Sequence, residues 1–207
     1  MAMQATHILF ARDLKTHLTV QNPHTYFAGA VYPDSRYITN RDRLKTHILR
    51  SPFEEHLTDF EKGWATHVLY DDLSTRKRHR LLPEPVGDYH RKDPIHLYVT
   101  AMKFIEDQWS CEQLQEDITI LRTISFDKTP CKENPELLNR FSEFLSCLYK
   151  TQPPTEKDYF AFGVALGTSV DRVHILIEHM KTIKKDQHLV SSLTNIYKEV
   201  LKEAIPE

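Results

Sequence analysis

Glycine is scarce in this chain, with five in 207 residues, at positions 29, 63, 87, 163 and 167. Tight β-hairpins need residues that accept positive φ, and glycine supplies most of them. The scarcity argues against a turn-dense all-β fold, and apolar residues recurring at three- and four-residue spacing point to helices. The clearest run spans 52–73. Ser51-Pro52 followed by Glu54 combines a cap, a first-turn proline and a first-turn acid. Phe53, Leu57, Phe60, Trp64, His67, Val68 and Asp71 share one stripe of that helix.

The same spacing predicts helices over 6–20, 24–31, 41–49, 93–109, 110–123, 135–150, 155–166, 169–184 and 187–203. Asn22-Pro23, Pro33 and Gly167 punctuate them. From Ser74 to Asp93 the pattern dissolves into Arg76-Lys77-Arg78-His79-Arg80 and the stretch Pro83 to Gly87, which reads as a long loop. The expected architecture is an all-α, single-domain multi-helix bundle over 1–207. Its metal-site half is expected at 1–124, and a helical scaffold or oligomer surface at 134–207.

Lys and Arg number 27 against 29 Asp and Glu, for a net charge of −2. That balance gives no overall attraction to nucleic acid or anionic membranes. Cys111, Cys131 and Cys147, odd in number and widely spaced, read as free thiols in a reducing compartment. Arg12, Asp13 and Lys15 interrupt any signal-peptide core, and no stretch approaches the roughly 20 apolar residues of a membrane helix. A cytoplasmic location is the expectation.

His67 and Asp71 stand four apart, so both project from one helix face, the face that also carries Phe60 and Trp64. A carboxylate aimed into a core needs a cation or strong hydrogen bonds. A structural His–Asp hydrogen bond would satisfy that need, and so would a metal. His7, Asp34 and His47 add two imidazoles and a carboxylate from neighbouring segments. Three or four such ligands with a position left for water make a catalytic zinc site, and iron or manganese accepts the same donors. The chemistry expected is hydrolysis of a phosphate ester by metal-bound hydroxide, with Asp34 and Asp71 at the reacting centre. Arg36, Arg76 and Arg78 are the expected contacts to a phosphate group. Glu106 and Asp107 read as solvent-facing, with a general-base role as the alternative. The His174–Glu178 pair lies too far downstream to join the site.

These residues resemble a known family. His7-Ile-Leu-Phe-Ala, Gly29-Ala-Val-Tyr-Pro-Asp34-Ser-Arg-Tyr37, Thr46-His47 and Gly63-Trp-Ala-Thr-His67-Val-Leu-Tyr-Asp71 look like the zinc-dependent phospholipase C family, in order and approximate spacing over about residues 5–75. The resemblance implies an all-α bundle of that type with additional C-terminal helices. It implies a small phosphorylated substrate or lipid headgroup, and zinc held by Asp34, His47, His67 and Asp71, with His7 on a neighbouring ion that shares Asp71. The family's further histidine has only His79 near its place, and neither His90 nor His96 begins its later His-x-x-x-Glu. The residues present therefore favour a single-metal site. Two other readings compete: a helical scaffold keeping a relic or structural metal site, and a nucleotide phosphohydrolase of His-Asp type.

Overall fold

The computed structural model describes residues 4–82, 93–127, 130–151 and 153–206. Among them every regular element is helical: α1 (Gln4–Lys15), α2 (Pro23–Val31), α3 (Arg36–Thr39), α4 (Arg43–Thr46), α5 (Asp59–His79), α6 (Pro94–Leu114), α7 (Thr119–Thr123), α8 (Pro135–Leu148), α9 (Glu156–Ala165), α10 (Val170–Lys185) and α11 (Gln187–Ala204). Short 3₁₀ turns at Tyr32–Ser35 and Gln115–Ile118 join α2 to α3 and α6 to α7. No helix among the described residues is long and apolar enough to cross a membrane. The cysteines are free thiols.

Local chemistry moves several expected boundaries. The helix expected from Pro52 begins at Asp59, because Thr58 and Glu61 form a reciprocal capping box. Glu54 instead accepts from the Ser51 backbone N–H, which leaves 52–57 in turns. At its other end α5 runs through Arg76–His79, the segment expected to be loop. Cations there complement the negative end of the helix dipole, and Asp72–Arg76 and Ser74–Arg78 contacts brace successive turns. Residues 83–92 of that expected loop, His90 included, lie outside the described residues. The helix expected over 41–49 shrinks to the single turn α4, since His47 leaves helical geometry at φ −121°, ψ 55°. Ser110 does not start a helix. Its hydroxyl donates to Thr6 and α6 continues to Leu114.

Helices α2 and α5 cross backbone to backbone at Gly29 and Gly63. A Cβ on Gly29 would sit 2.0 Å from the Phe60 carbonyl oxygen, and one on Gly63 would sit 1.9 Å from that of Tyr26. Only backbone without side chains allows this approach. Across the crossing lies α1, whose Ala11 carbonyl accepts a 3.1 Å bond from the Tyr26 hydroxyl. Helix α6 packs on α1 and α10, and α11 on α5 and α6. One hydrophobic cluster runs from Ala5 to Ala204 through every α-helix except α3 and α4, so the C-terminal helices share a core with the N-terminal ones.

Asp107, in α6, ties that core to the start of α1. Its buried carboxylate accepts from the Ala5 N–H at 2.9 Å and the Thr6 N–H at 3.4 Å. It also accepts from the hydroxyls of Tyr149 at 2.9 Å and Tyr159 at 2.7 Å. The first N–H groups of α1 thus find their acceptor on another helix. Burial pushes the Asp107 carboxyl up to about 6, with these hydrogen bonds pulling against it. The expectation that Asp107 faces solvent is corrected, as is that for Glu106, which is 2% exposed and paired with Arg78.

Gly63→Ala tests the crossing. The added methyl meets backbone, which cannot swing aside, so the variant should lose at least about 3 kcal/mol in urea denaturation or fail to fold. A variant as stable as wild type would refute the backbone contact.

Candidate metal centre

Five side chains from four segments form one cluster of two overlapping groups. His7 comes from the inner face of α1, Asp34 from the 3₁₀ turn after α2, His47 from the residue that ends α4, and His67 and Asp71 from successive turns of α5. Asp71 is the hub. Its carboxylate oxygens lie 3.4 Å from His47 Nε2, 3.8 Å from His7 Nε2 and 3.9 Å from His67 Nε2. The ligand atoms fall into two overlapping sets, His7/Asp34/His67 and His47/His67/Asp71, each with every pair within 4.8 Å. Edges of a tetrahedral zinc site built from bonds of about 2.0–2.1 Å measure about 3.4 Å, so the spacings suit ligands around a common cation.

Contacts outside the cluster aim these donors. The His67 Nδ1 hydrogen bonds to the Ala30 carbonyl at 2.8 Å. Since a carbonyl only accepts, Nδ1 carries the proton and Nε2 turns a lone pair inward. The Gln4 amide donates to Asp34 at 2.7 Å. Trp64 Nε1 donates to the Thr46 carbonyl at 2.5 Å, and the Thr46 hydroxyl lies 3.0 Å from His47 Nδ1, which holds the end of α4 against α5. The rings of His7 and His67 stack with centroids 3.6 Å apart and planes 17° from parallel.

Electrostatics give the centre its character. Burial drives His67 down to about 4 and His7 well below the usual imidazole value, so both rings are neutral near pH 7. Burial alone would raise the two carboxyls. Neighbouring His67 nevertheless holds Asp34 below the ordinary carboxylate range, and Lys103 together with His47 holds Asp71 there. Two buried carboxylates therefore face neutral imidazoles and one lysine whose own charge burial disfavours. Among the described residues the buried Nε2 atoms of His47 and His67 have no hydrogen-bond partner. An acceptor-rich pocket of this kind is short of positive charge, and a divalent cation fits it.

All five ligands expected from sequence are thus brought together, while the expected phosphate contacts are not. Arg78 is fully buried, bonded to Glu106 at 2.7 Å and Ser74 at 2.8 Å, so a phosphate would have to displace a carboxylate. Arg76 faces solvent, paired with Asp72 at 2.8 Å. Arg36 lines a separate cavity with Arg41 and Arg172. Sequence reasoning missed Gln4, Arg43 and Lys103. Gln4 stands three residues before His7, on the same helix face. Lys103 is the one Lys or Arg between 94 and 114, set in the apolar run Leu97–Ile105, and that isolation was its signal. Arg43, exposed, reaches within 4.0 Å of Asp71.

No family model matches this chain, and neither a curated protein nor a solved structure matches it.

Elemental analysis after dialysis against zinc should find at least one ion per chain in wild type. It should find none in folded His67→Ala, which removes the imidazole common to both ligand sets. The metal-free protein should also be sensitive to acid. His67 titrates near 4 in the fold against an ordinary 6.5, so between those values the unfolded chain takes up a proton that the fold refuses. That contribution to stability is present above about pH 6.5 and is lost as pH falls through about 4. Urea midpoints of the metal-free protein should follow this course, and those of His67→Gln should fall less steeply.

Proposed function

We propose that this protein is a metal-dependent hydrolase of a phosphate ester, acting on a phosphodiester or phospholipid-like substrate. The observation that carries the reading is the clustering of three imidazoles and two carboxylates in two groups that share His67, with unpartnered His47 and His67 nitrogens among the described residues. His7, Asp34, His47, His67 and Asp71 would hold zinc, or iron or manganese in its place. When bound, such an ion lowers the pKa of a coordinated water to about 7 and polarises a phosphoryl oxygen.

The chain's own groups divide the remaining work. Asp34 and Asp71 supply negative charge and accept protons at the centre. Gln4 holds Asp34 in place, and the Ala30 carbonyl keeps His67 in the tautomer that presents a lone pair at Nε2. Arg43 marks the open side: its side chain is 58% exposed while its guanidinium approaches Asp71. There it can pair with a non-bridging phosphate oxygen in fork geometry. Next in the chain Leu44, 81% exposed, Ile48 and Leu49 face solvent, and Leu44 and Ile48 line a cavity with Lys45, Arg50 and Glu61. Apolar and cationic side chains so mixed suit a substrate with a phosphate and a hydrocarbon part. The likeness to the zinc-dependent phospholipase C family over about residues 5–75 belongs to this same proposal, as does assignment of the bundle to that type.

A second reading, a structural metal within a scaffold, draws on the burial of the ligands: His7 and His67 are at most 2% exposed. Turnover separates the two. Zinc-loaded wild type should hydrolyse bis(4-nitrophenyl) phosphate. Asp71→Asn should lose both metal and activity, and Arg43→Ala should keep its metal while kcat/KM falls by roughly tenfold or more. A fully loaded protein that turns over neither this substrate nor phospholipid, yet melts lower without metal, would establish the scaffold reading.

A further inference from the structure

We infer that the protein docks on an anionic lipid surface through residues 43–50. Leu44, Ile48 and Leu49 would enter the hydrocarbon boundary, and Arg43, Lys45, Arg50 and Lys132 would meet the headgroups. The inference does not rest on metal binding or turnover. Among the described residues six large hydrophobic side chains are exposed, and three of them, Leu44 at 81%, Leu49 at 65% and Ile48 at 43%, share one short stretch. The others, Val164, Val170 and Ile175, are spread over α9 and α10. Single exposed apolar side chains are ordinary, whereas a contiguous group marks a surface that meets something apolar.

The fold holds this stretch outward. Thr46 is buried, and its carbonyl accepts from Trp64 Nε1 at 2.5 Å. Residues two apart on a helical turn stand about 200° apart around its axis. Anchoring Thr46 against α5 therefore turns Leu44 to solvent. Asp42 fixes the turn from its other end, its carboxylate accepting from the Leu44 N–H at 3.0 Å. His47 then leaves helical geometry, and residues 48–50 follow in no regular element, all three exposed. Leu44 and Ile48 also border a cavity of about 600 Å³ with Trp64 and Cys131, which extends the apolar surface inward.

Charge selects the partner. The stretch 41–50 carries Arg41, Arg43, Lys45 and Arg50 against the single acid Asp42, in a chain whose net charge is −2. Lys132 is brought alongside by the bond from Arg41 to its carbonyl, and by the Cys131 thiol, which donates to the Lys45 carbonyl at 3.6 Å. Two of these cations have carboxylates near them, Arg50 at 3.8 Å from Glu61 and Arg43 at 4.0 Å from Asp71. The cavity lining keeps the excess, with Lys45, Arg50 and Lys132 against Glu61. A nucleic acid would use the cations and leave the leucines in water. An anionic bilayer uses both, since binding there sums buried apolar area and the attraction of basic side chains to acidic headgroups. Lysine and arginine stems lie along apolar surface while their charged ends stay in water.

Sedimentation with phosphatidylcholine vesicles, with and without phosphatidylserine as about a third of the lipid, tests this. The full chain is used free of metal, so that no headgroup is drawn to a bound ion. Wild type should bind the mixed vesicles at least about tenfold more tightly than the neutral ones, and raised salt should remove that difference. Leu44→Ser with Leu49→Ser should weaken binding to mixed vesicles by about tenfold or more. Lys45→Gln with Arg50→Gln should weaken it by about tenfold as well. Ile175→Ser, a like change at an exposed side chain of α10, should leave it unchanged. The substituted side chains are exposed, so urea midpoints at the wild-type value should show that the fold is kept. Wild type that binds neither vesicle, or binds both equally, overturns the proposal. So does binding that both patch variants keep. Self-association of wild type that the Leu44 and Leu49 changes abolish, without vesicle binding, also overturns it and assigns the patch to a second copy of the chain.

Discussion

The crossing of α2 and α5 is the contact on which the rest of the architecture depends. Two glycines remove the side chains that would hold the helices apart, and the backbones meet. That approach brings the Ala30 carbonyl within 2.8 Å of His67 Nδ1. Asp34, four residues beyond Ala30, then arrives beside His67 because the 3₁₀ turn at Tyr32–Ser35 folds the chain back over α5. A site whose donors must meet within a few tenths of an ångström needs rigid support, and a backbone contact is the stiffest a helical bundle offers.

Around this crossing the interior is unusually polar. Helices α5 and α6 contribute Asp71, Arg78, Lys103, Glu106 and Asp107, nearly all screened from water. Such charges are tolerated only when compensated. Arg78 and Glu106 compensate each other, and Asp107 is satisfied by two backbone amides and two tyrosines. Asp34 and Asp71 are the remaining pair, with imidazoles that burial keeps neutral. The tyrosines on Asp107 come from Tyr149, just past α8, and from α9, so the C-terminal helices brace the start of α1, where Gln4 and His7 stand. Their role in the centre is mechanical, through that anchor.

A net charge of −2 conceals a local separation of sign. The centre gathers carboxylates, while Arg36, two residues beyond Asp34, belongs to a cavity of arginines. The 3₁₀ turn and α3 divide the two. Residues adjacent in sequence thereby serve opposite electrostatic environments, which composition averages away.

Helix content and the pairing of His67 with Asp71 were legible in the sequence, because both are local. Apolar spacing encodes helices, and a histidine and an aspartate four apart share a face whatever the tertiary fold. The sequence could not show which helices cross, because Gly29 and Gly63 become partners only when their backbones touch. Nor could it show that Arg78 is consumed by Glu106, that Asp107 caps a helix 101 residues away, or that the Lys103 charge helps hold the Asp71 carboxyl low. The run Arg76–Arg80 illustrates the difference. Read locally it is a basic loop, but in the fold it closes α5, where packing and the helix dipole outweigh its polarity. Local periodicity determined which faces turn inward. Long-range packing alone decided which charges met there, because a buried charge takes its partner from whatever the fold brings within reach.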